Sequence, residues 1–331
     1  MTPHFRTLVI TVLICSTTAA GAGAQRQERR SAALERVESA ILAPYAATWY
    51  TTPAAINNRG EIAGWATNEE GEWTAWIRSP RGRYTSIADR ALPRDLNDRG
   101  EVVGLLFPCD ADACWLEGFA WDATGGLRNL GSFLPFSVNE RGDMAGVCEP
   151  GWQACVMRDG AITAIAGPGS EARGINRHGE VVGLYGDNRA FHLSAGWTFT
   201  DIGRAVATDI SDRGVIAGHR WVELESRGER AMLTAWTRSG PISPAREVGI
   251  AITINRPGWV LAYGFDENEQ SFSYIWNPSS AARLLLVSTE GGWVQLADVN
   301  DRGEVVGRTG RGPAIWTISP ADMNGRPAGH P

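Results

Sequence analysis

Eight side chains in this sequence could carry recognition chemistry. Trp73, Trp115, Trp152 and Trp221 each offer a flat apolar face and one N–H donor, while Asp110, Asp112, Glu223 and Asp266 offer acceptor oxygens. Exposed aromatics beside carboxylates suit a surface that stacks on a sugar ring or anchors another protein. Bond-making chemistry is harder to find. The sequence holds no HExxH, no GxSxG, no phosphate-cradling Gly-rich loop ending in Lys and no CxxC. Its histidines are His4, His178, His192, His219 and His330. A metal site from His192 and His219 would need two neighbouring units to bring them together, and His192 is expected in the core. No catalytic residue, metal ligand or cofactor is therefore expected.

All eight candidates interrupt a repeat. Seven segments share one frame: AAINNRGEIAG (54–64), RDLNDRGEVVG (94–104), FSVNERGDMAG (136–146), RGINRHGEVVG (173–183), TDISDRGVIAG (208–218), AITINRPGWVLA (251–262) and ADVNDRGEVVG (297–307). Their anchors are Asn57, Asn97, Asn139, Asn176, Ser211, Asn255 and Asn300. A step of roughly forty residues is the range of solenoids and propellers. Asn-x-x-Gly favours a type I turn, since Asn accepts local backbone bonds and Gly tolerates a left-handed conformation. Pro257 departs from that rule. The turn acids Asp98, Glu140, Asp212 and Asp301 recur with the repeat, as do Arg59, Arg99, Arg141, Arg213 and Arg302, so both sets are expected to serve the turns.

Each turn joins two apolar runs into a hairpin. A third strand carries Trp76, Trp121, Trp236, Trp276 or Trp316, with Met157 and His192 expected in the same place. A fourth follows, as in YTSIA or LRNLG. The second strand is apolar on both sides, as packing between neighbouring sheets requires, and its Gly is expected beneath an aromatic ring. The pattern predicts an all-β, seven-bladed β-propeller of four-stranded antiparallel blades over 42–318, with the ring closed by an N-terminal strand in the last blade. Residues near 46–52 are expected to supply that strand. Residues 25–41 read as a linker or short helix, with Leu34, Val37 and Ile41 at helical spacing, and 319–331 as a disordered tail.

Ile-Asn-x-x-Gly-x-Val-x-Gly followed by Ala-Phe-x-Trp resembles the bacterial HAF extracellular-repeat family. The resemblance is carried by LNDRGEVVG with GFAWD, INRHGEVVG with RAFHL and VNDRGEVVG with PAIWT. It implies export and a repeat-built β structure, and it brings no catalytic residues.

Residues 1–24 read independently as an export signal. Arg6 is followed by the apolar run LVITVLIC and a small-residue stretch ending at Ala24. Lipidation at Cys15 is the alternative, although Ile14 is large for it. The remaining cysteines, Cys109, Cys114, Cys148 and Cys155, are expected to form local disulfides 109–114 and 148–155, with the crossed pairing 109–148 and 114–155 left open. No later apolar run reaches about 18 residues, so stable membrane insertion is not expected. A formal net charge of −6 argues against a nucleic-acid partner. The expected protein is periplasmic or secreted. It is a binding or scaffold propeller that recognises a ligand, glycan or protein on the face where the strand-2-to-strand-3 loops emerge. The alternative is a propeller enzyme, a hydrolase or lyase acting on extracellular or cell-envelope polymers.

Overall fold

The computed structural model describes residues 35–324, apart from 48, 111–112, 225–227, 245–247, 267, 269 and 290. The expected leader, residues 25–34 and residues 325–331 lie outside that range. Within it the protein is all-β, save one helical turn at Pro320–Met323. The first repeat shows the unit. Tyr50–Ile56, Ile62–Thr67, Trp73–Arg78 and Tyr84–Asp89 pair in that order as one antiparallel sheet. Two further four-stranded sheets cover Ala91–Leu96 to Gly126–Gly131 and Phe133–Val138 to Ala161–Pro168.

The next two four-strand sets run on through a shared strand. Phe199–Ile210 pairs with Arg189–Leu193 along residues 199–204 and with Ile216–Leu224 along residues 205–210, giving a seven-stranded sheet. The last two sets are joined by the N-terminal strand Glu35–Ile41 into an eight-stranded sheet. Ser39, Ala40 and Ile41 pair antiparallel with Trp316, Ile315 and Ala314, while residues 35–38 pair parallel with 284–287.

The N-terminal strand is therefore Glu35–Ile41, not residues 46–52. Tyr50–Ile56 is the first arm of the first hairpin. The linker or short helix expected across 25–41 is replaced by strand over its described part. A lone short helix gains little in water, whereas two open strand edges supply backbone partners. The C-terminal expectation also fails over its described part. Ser319 caps the helical turn, Met323 is fully buried, and its carbonyl accepts bonds from Asn277 Nδ2 (2.7 Å) and Ser280 Oγ (2.6 Å).

Every first strand of a set carries a register shift at the same place, for example between Pro53 and Ala55 and between Ala172 and Gly174. The shift drives a carbonyl against the second strand. A Cβ at Gly64 would lie 2.3 Å from the Thr52 carbonyl oxygen and 2.5 Å from the Trp76 ring. At Gly183 it would lie 1.9 Å from the Glu171 carbonyl oxygen and 2.9 Å from the Phe191 ring. The expected ring lies close at Gly64, Gly104 and Gly183, but at Gly146, Gly218 and Gly307 the three nearest atoms are all backbone, so the carbonyl oxygen is the reason for glycine that the six share.

The tryptophan row does not share one frame. Trp121, Trp236, Trp276 and Trp316 lie opposite Val102, Ile216, Val260 and Val305. Trp76 lies opposite Gly64, two residues out of step. In the fourth unit Leu193 takes the frame and the half-buried His192 faces the other side. A two-residue slip keeps the same face, so alternation cannot reveal it; a one-residue slip reverses the face. The core itself lies between adjacent sets, as where Phe119, Val102 and Leu96 pack on Ala55, Ala63 and Ala75.

Candidate functional site

The turns meet around a polar channel. Each anchor asparagine is buried and bonded through both ends of its amide. Asn57 Oδ1 accepts from the N–H groups of Arg59 and Glu61, each at 3.0 Å. Its Nδ2 donates to Glu61 Oε2 at 2.7 Å and to the carbonyl of Asn97, the next anchor, at 3.0 Å. An amide can do this because it has two donors and an acceptor with two lone pairs; an Asp would repel the carbonyl. The same step runs from Asn97 to Asn139, from Asn139 to Asn176 and from Asn176 to Ser211, then from Asn255 to Asn300 and from Asn300 back to Asn57. The chain of bonds lapses between Ser211 and Asn255, because the serine hydroxyl sits one bond closer to the backbone than an asparagine amide nitrogen and does not reach the next carbonyl. Ser211 Oγ accepts only from Val215 N–H.

Deeper in the channel stand Asp95, Asp209 and Asp298, each two residues before its anchor. Asp95 accepts from Ser137 Oγ and the Val138 N–H of the following set, and Asp209 from Thr253 Oγ1 and the Ile254 N–H. Asp298 Oδ2 accepts from Ile56 N–H at 2.9 Å, linking the last first-strand to the earliest. Each carboxylate also accepts the N–H of its own successor. Burial pushes the three carboxyls upward, Asp209 to about 6 and Asp298 to about 8. Asp95 adds repulsion to both of those, and the N–H bonds oppose the rise. All three line the channel and are half-buried as residues.

Arg256 crosses the mouth above them. Its guanidinium meets Asp98 Oδ2 at 2.9 Å, Asp212 Oδ2 at 3.0 Å and Asp301 Oδ2 at 3.6 Å, and it pairs with Glu140 as well. Asn58 bridges Asp98 and Asp301 from the other side. The cavity beneath measures about 140 Å³. Its carboxylates are engaged by backbone and hydroxyl donors or by arginine, and no histidine, cysteine or lysine lines it. Among the described residues no group of three His, Cys, Asp or Glu is arranged to hold a metal ion.

The opposite end of the strands carries the loops. Trp115 and Trp152 are exposed, at 44% and 38%. The disulfides Cys109–Cys114 and Cys148–Cys155 close their two loops, in the local pairing. Trp73 packs edge-on against Phe107 with ring centres 5.9 Å apart. Trp221 packs edge-on against His219 at 5.4 Å. His219 is itself half-buried, and burial first, then Arg173, lowers it to about 4. Trp221 and Glu223 lie within a long hairpin, opposite Ala231 and Glu229, where a loop was expected. Asp110 and Asp266 cap their own turns, accepting from Ala113 N–H and from the N–H groups of Asn268 and Gln270. Asp112 lies outside the described residues. Among those described, no ring contact joins Trp115, Trp152 and Trp221 to one another.

One aromatic cluster at this end was missed. The Arg308 guanidinium lies 3.2 Å from the centre of the Tyr50 ring and 5.8 Å from that of Trp293. Both rings are exposed, at 45% and 50%, while Arg308 is buried and donates to the Thr51 carbonyl. Tyr50 and Trp293 stand at the starts of the earliest and last first-strands, nearly a chain length apart, so spacing could not pair them. The channel aspartates did leave a signal: three repeats carry Asp two residues before the anchor, in RDLN, TDIS and ADVN.

No protein-family model and no curated protein sequence matches the chain. Solved structures do. An acylaminoacyl peptidase from Pyrococcus horikoshii matches 82% of this chain with 52% of its own, at 12% identity and a TM-score of 0.58. The β-propeller domain of the Trilobed protease from Pyrococcus furiosus matches 81% of this chain with 95% of its own, at 12% identity and TM-score 0.54. A prolyl endopeptidase matches 80% of this chain with 47% of its own, at 10% identity and TM-score 0.52. The chain spans about half the length of this acylaminoacyl peptidase and this prolyl endopeptidase. At these identities the likeness concerns the fold, and the fold is a β-propeller.

Proposed function

We propose that this chain is an exported, seven-bladed propeller of the HAF-repeat type that binds an extracellular glycan or glycosylated protein on its loop face. Seven anchors, with Asn300 donating back to the Asn57 carbonyl, support the blade count. The two disulfides support an oxidising compartment, and no helix among the described residues is long and apolar enough to cross a membrane. The binding reading rests on the Tyr50–Arg308–Trp293 cluster, two exposed rings held by one buried cation. Rigid aromatic planes suit the apolar face of a sugar ring. Trp115, next to Cys114, and Trp152, within the loop closed by Cys148–Cys155, extend the surface. The channel, by contrast, has its polar groups committed to one another.

A panel of cell-envelope and extracellular oligosaccharides tests this. Trp293→Ala and the pair Trp115→Ala, Trp152→Ala are expected to weaken binding. Glu140→Gln, at the channel mouth and away from the proposed surface, is expected to leave it unchanged. Binding undiminished in both tryptophan variants would remove the loop face from the account. A second reading, a propeller that serves a hydrolase, draws support from the peptidase neighbours alone. Cleavage of any oligosaccharide or peptide in the same panel would favour it.

A further inference from the structure

The turn arginines obey a rule that one of them breaks. Arg59, Arg99, Arg141 and Arg302 each pair with a carboxylate two residues on, at Glu61, Glu101, Asp143 and Glu304. Each then lies over the glycine of the next turn. The guanidinium Nη2 stands 2.6 Å from where a Cβ would sit on Gly100, Gly142 and Gly60, and 2.7 Å on Gly179. Clamped in this way, the arginines pave the turn face.

Arg213 has Val215 where the others have an acid. Among the described residues no carboxylate lies within ion-pair distance of it, and its one hydrogen bond is a long one, 3.4 Å from Nη1 to the Pro257 carbonyl. It does not cover the next turn either. A Cβ on Gly258 would meet nothing within 4 Å. The gap in the asparagine ring falls at the same junction, between Ser211 and Asn255. There the surface opens into a cavity of about 260 Å³, walled by Arg213, Pro257, Trp259, Asn277, Ser279 and Asn324. Asp301 also reaches its wall, but that carboxylate is already held by Arg256 and Asn58.

We propose that this cavity binds a small monocarboxylate with an apolar body, whose carboxylate takes the place of the acid that the fifth repeat lacks. A guanidinium offers a planar fork that matches a carboxylate through two parallel bonds. Pro257 and Trp259 replace the arginine and acid of the sixth repeat and supply apolar wall. Ser279 and Asn324 bring further hydrogen-bonding side chains to the rim. Asp301 disfavours a dianion, so phosphate is the poorer fit. The volume lies below the range of about 300–1,000 Å³ typical of drug-sized ligands, which limits the ligand to a small molecule. This site is on the turn face and stands independently of any glycan binding on the loop face.

The test is calorimetric titration of the full chain with sodium benzoate, and with sodium phosphate at equal ionic strength. The expected result is saturable one-to-one binding of benzoate and weaker binding of phosphate. Arg213→Gln removes the fork, and Val215→Glu fills it from within as in the other repeats. Both are expected to weaken benzoate by at least about tenfold, a change of about 1.4 kcal/mol. Arg213 is exposed and Val215 half-buried, and an unchanged far-ultraviolet circular dichroism spectrum checks that each variant is folded. No saturable benzoate binding, a preference for phosphate, or undiminished affinity in either folded variant would overturn the proposal.

Discussion

The two ends of the strands use polar residues in opposite ways. On the turn face an asparagine, an acid and an arginine recur, and nearly every donor finds an acceptor in its own turn or the next. On the loop face sequence and length vary, two loops are closed by disulfides, and large aromatic rings stand in solvent. Side chains that repeat serve the contact that repeats. Side chains that appear once, and stay exposed at a cost in apolar hydration, are the ones free to meet another molecule.

The comparison can be broken most sharply at Asp298. Its carboxylate satisfies Ile56 N–H and Val299 N–H at the link between the last and earliest first-strands. Asp298→Ala leaves both donors without an acceptor and is expected to cost about 2–4 kcal/mol in chemical denaturation. A loss below about 0.5 kcal/mol would mean that the channel aspartates do not hold the ring together.

Acidity gives the next effect. Asp209 and Asp298 are raised to about 6 and about 8 in the folded protein, above the ordinary value of 3.8. Between the unfolded and folded values the native state binds more protons than the unfolded chain. Their contribution to stability is therefore full below about pH 4 and is lost as the pH rises towards 8. The denaturation midpoint is expected to fall between about pH 5 and pH 8, and Asp298→Asn to flatten the upper part of that fall. A midpoint that rises over the same window would contradict the burial of these groups.

A smaller effect repairs the ring. Ser211→Asn adds the missing donor towards the Asn255 carbonyl and is expected to stabilise by about 1 kcal/mol. The smallest belongs to the other face. Trp115→Ala with Trp152→Ala is expected to change stability by less than about 0.5 kcal/mol, because both rings are exposed.

Much of the turn face was legible because a repeat multiplies a weak signal. One Asn-x-x-Gly is ambiguous; seven in frame define the hairpins and their order. The local disulfides followed from loops too short for easy alternatives. Other features were hidden for physical reasons. Glu35–Ile41 is strand only because residues 284–287 and 314–316 offer open edges, which no local pattern encodes. The two-residue displacement of Trp76 preserves its face. Trp221 joined a hairpin extended beyond its neighbours. Tyr50, Arg308 and Trp293 meet because the ends of the chain meet, and the role of Arg256 depends on acids from four different turns.

The division between the faces is tested most directly by one urea titration, run side by side on Asn300→Ala and on the Trp115→Ala, Trp152→Ala pair. The account predicts a clearly lowered midpoint for the first, which loses the bond to the Asn57 carbonyl, and an unchanged midpoint for the second. A lowered midpoint for the tryptophan pair with Asn300→Ala unaffected would contradict it.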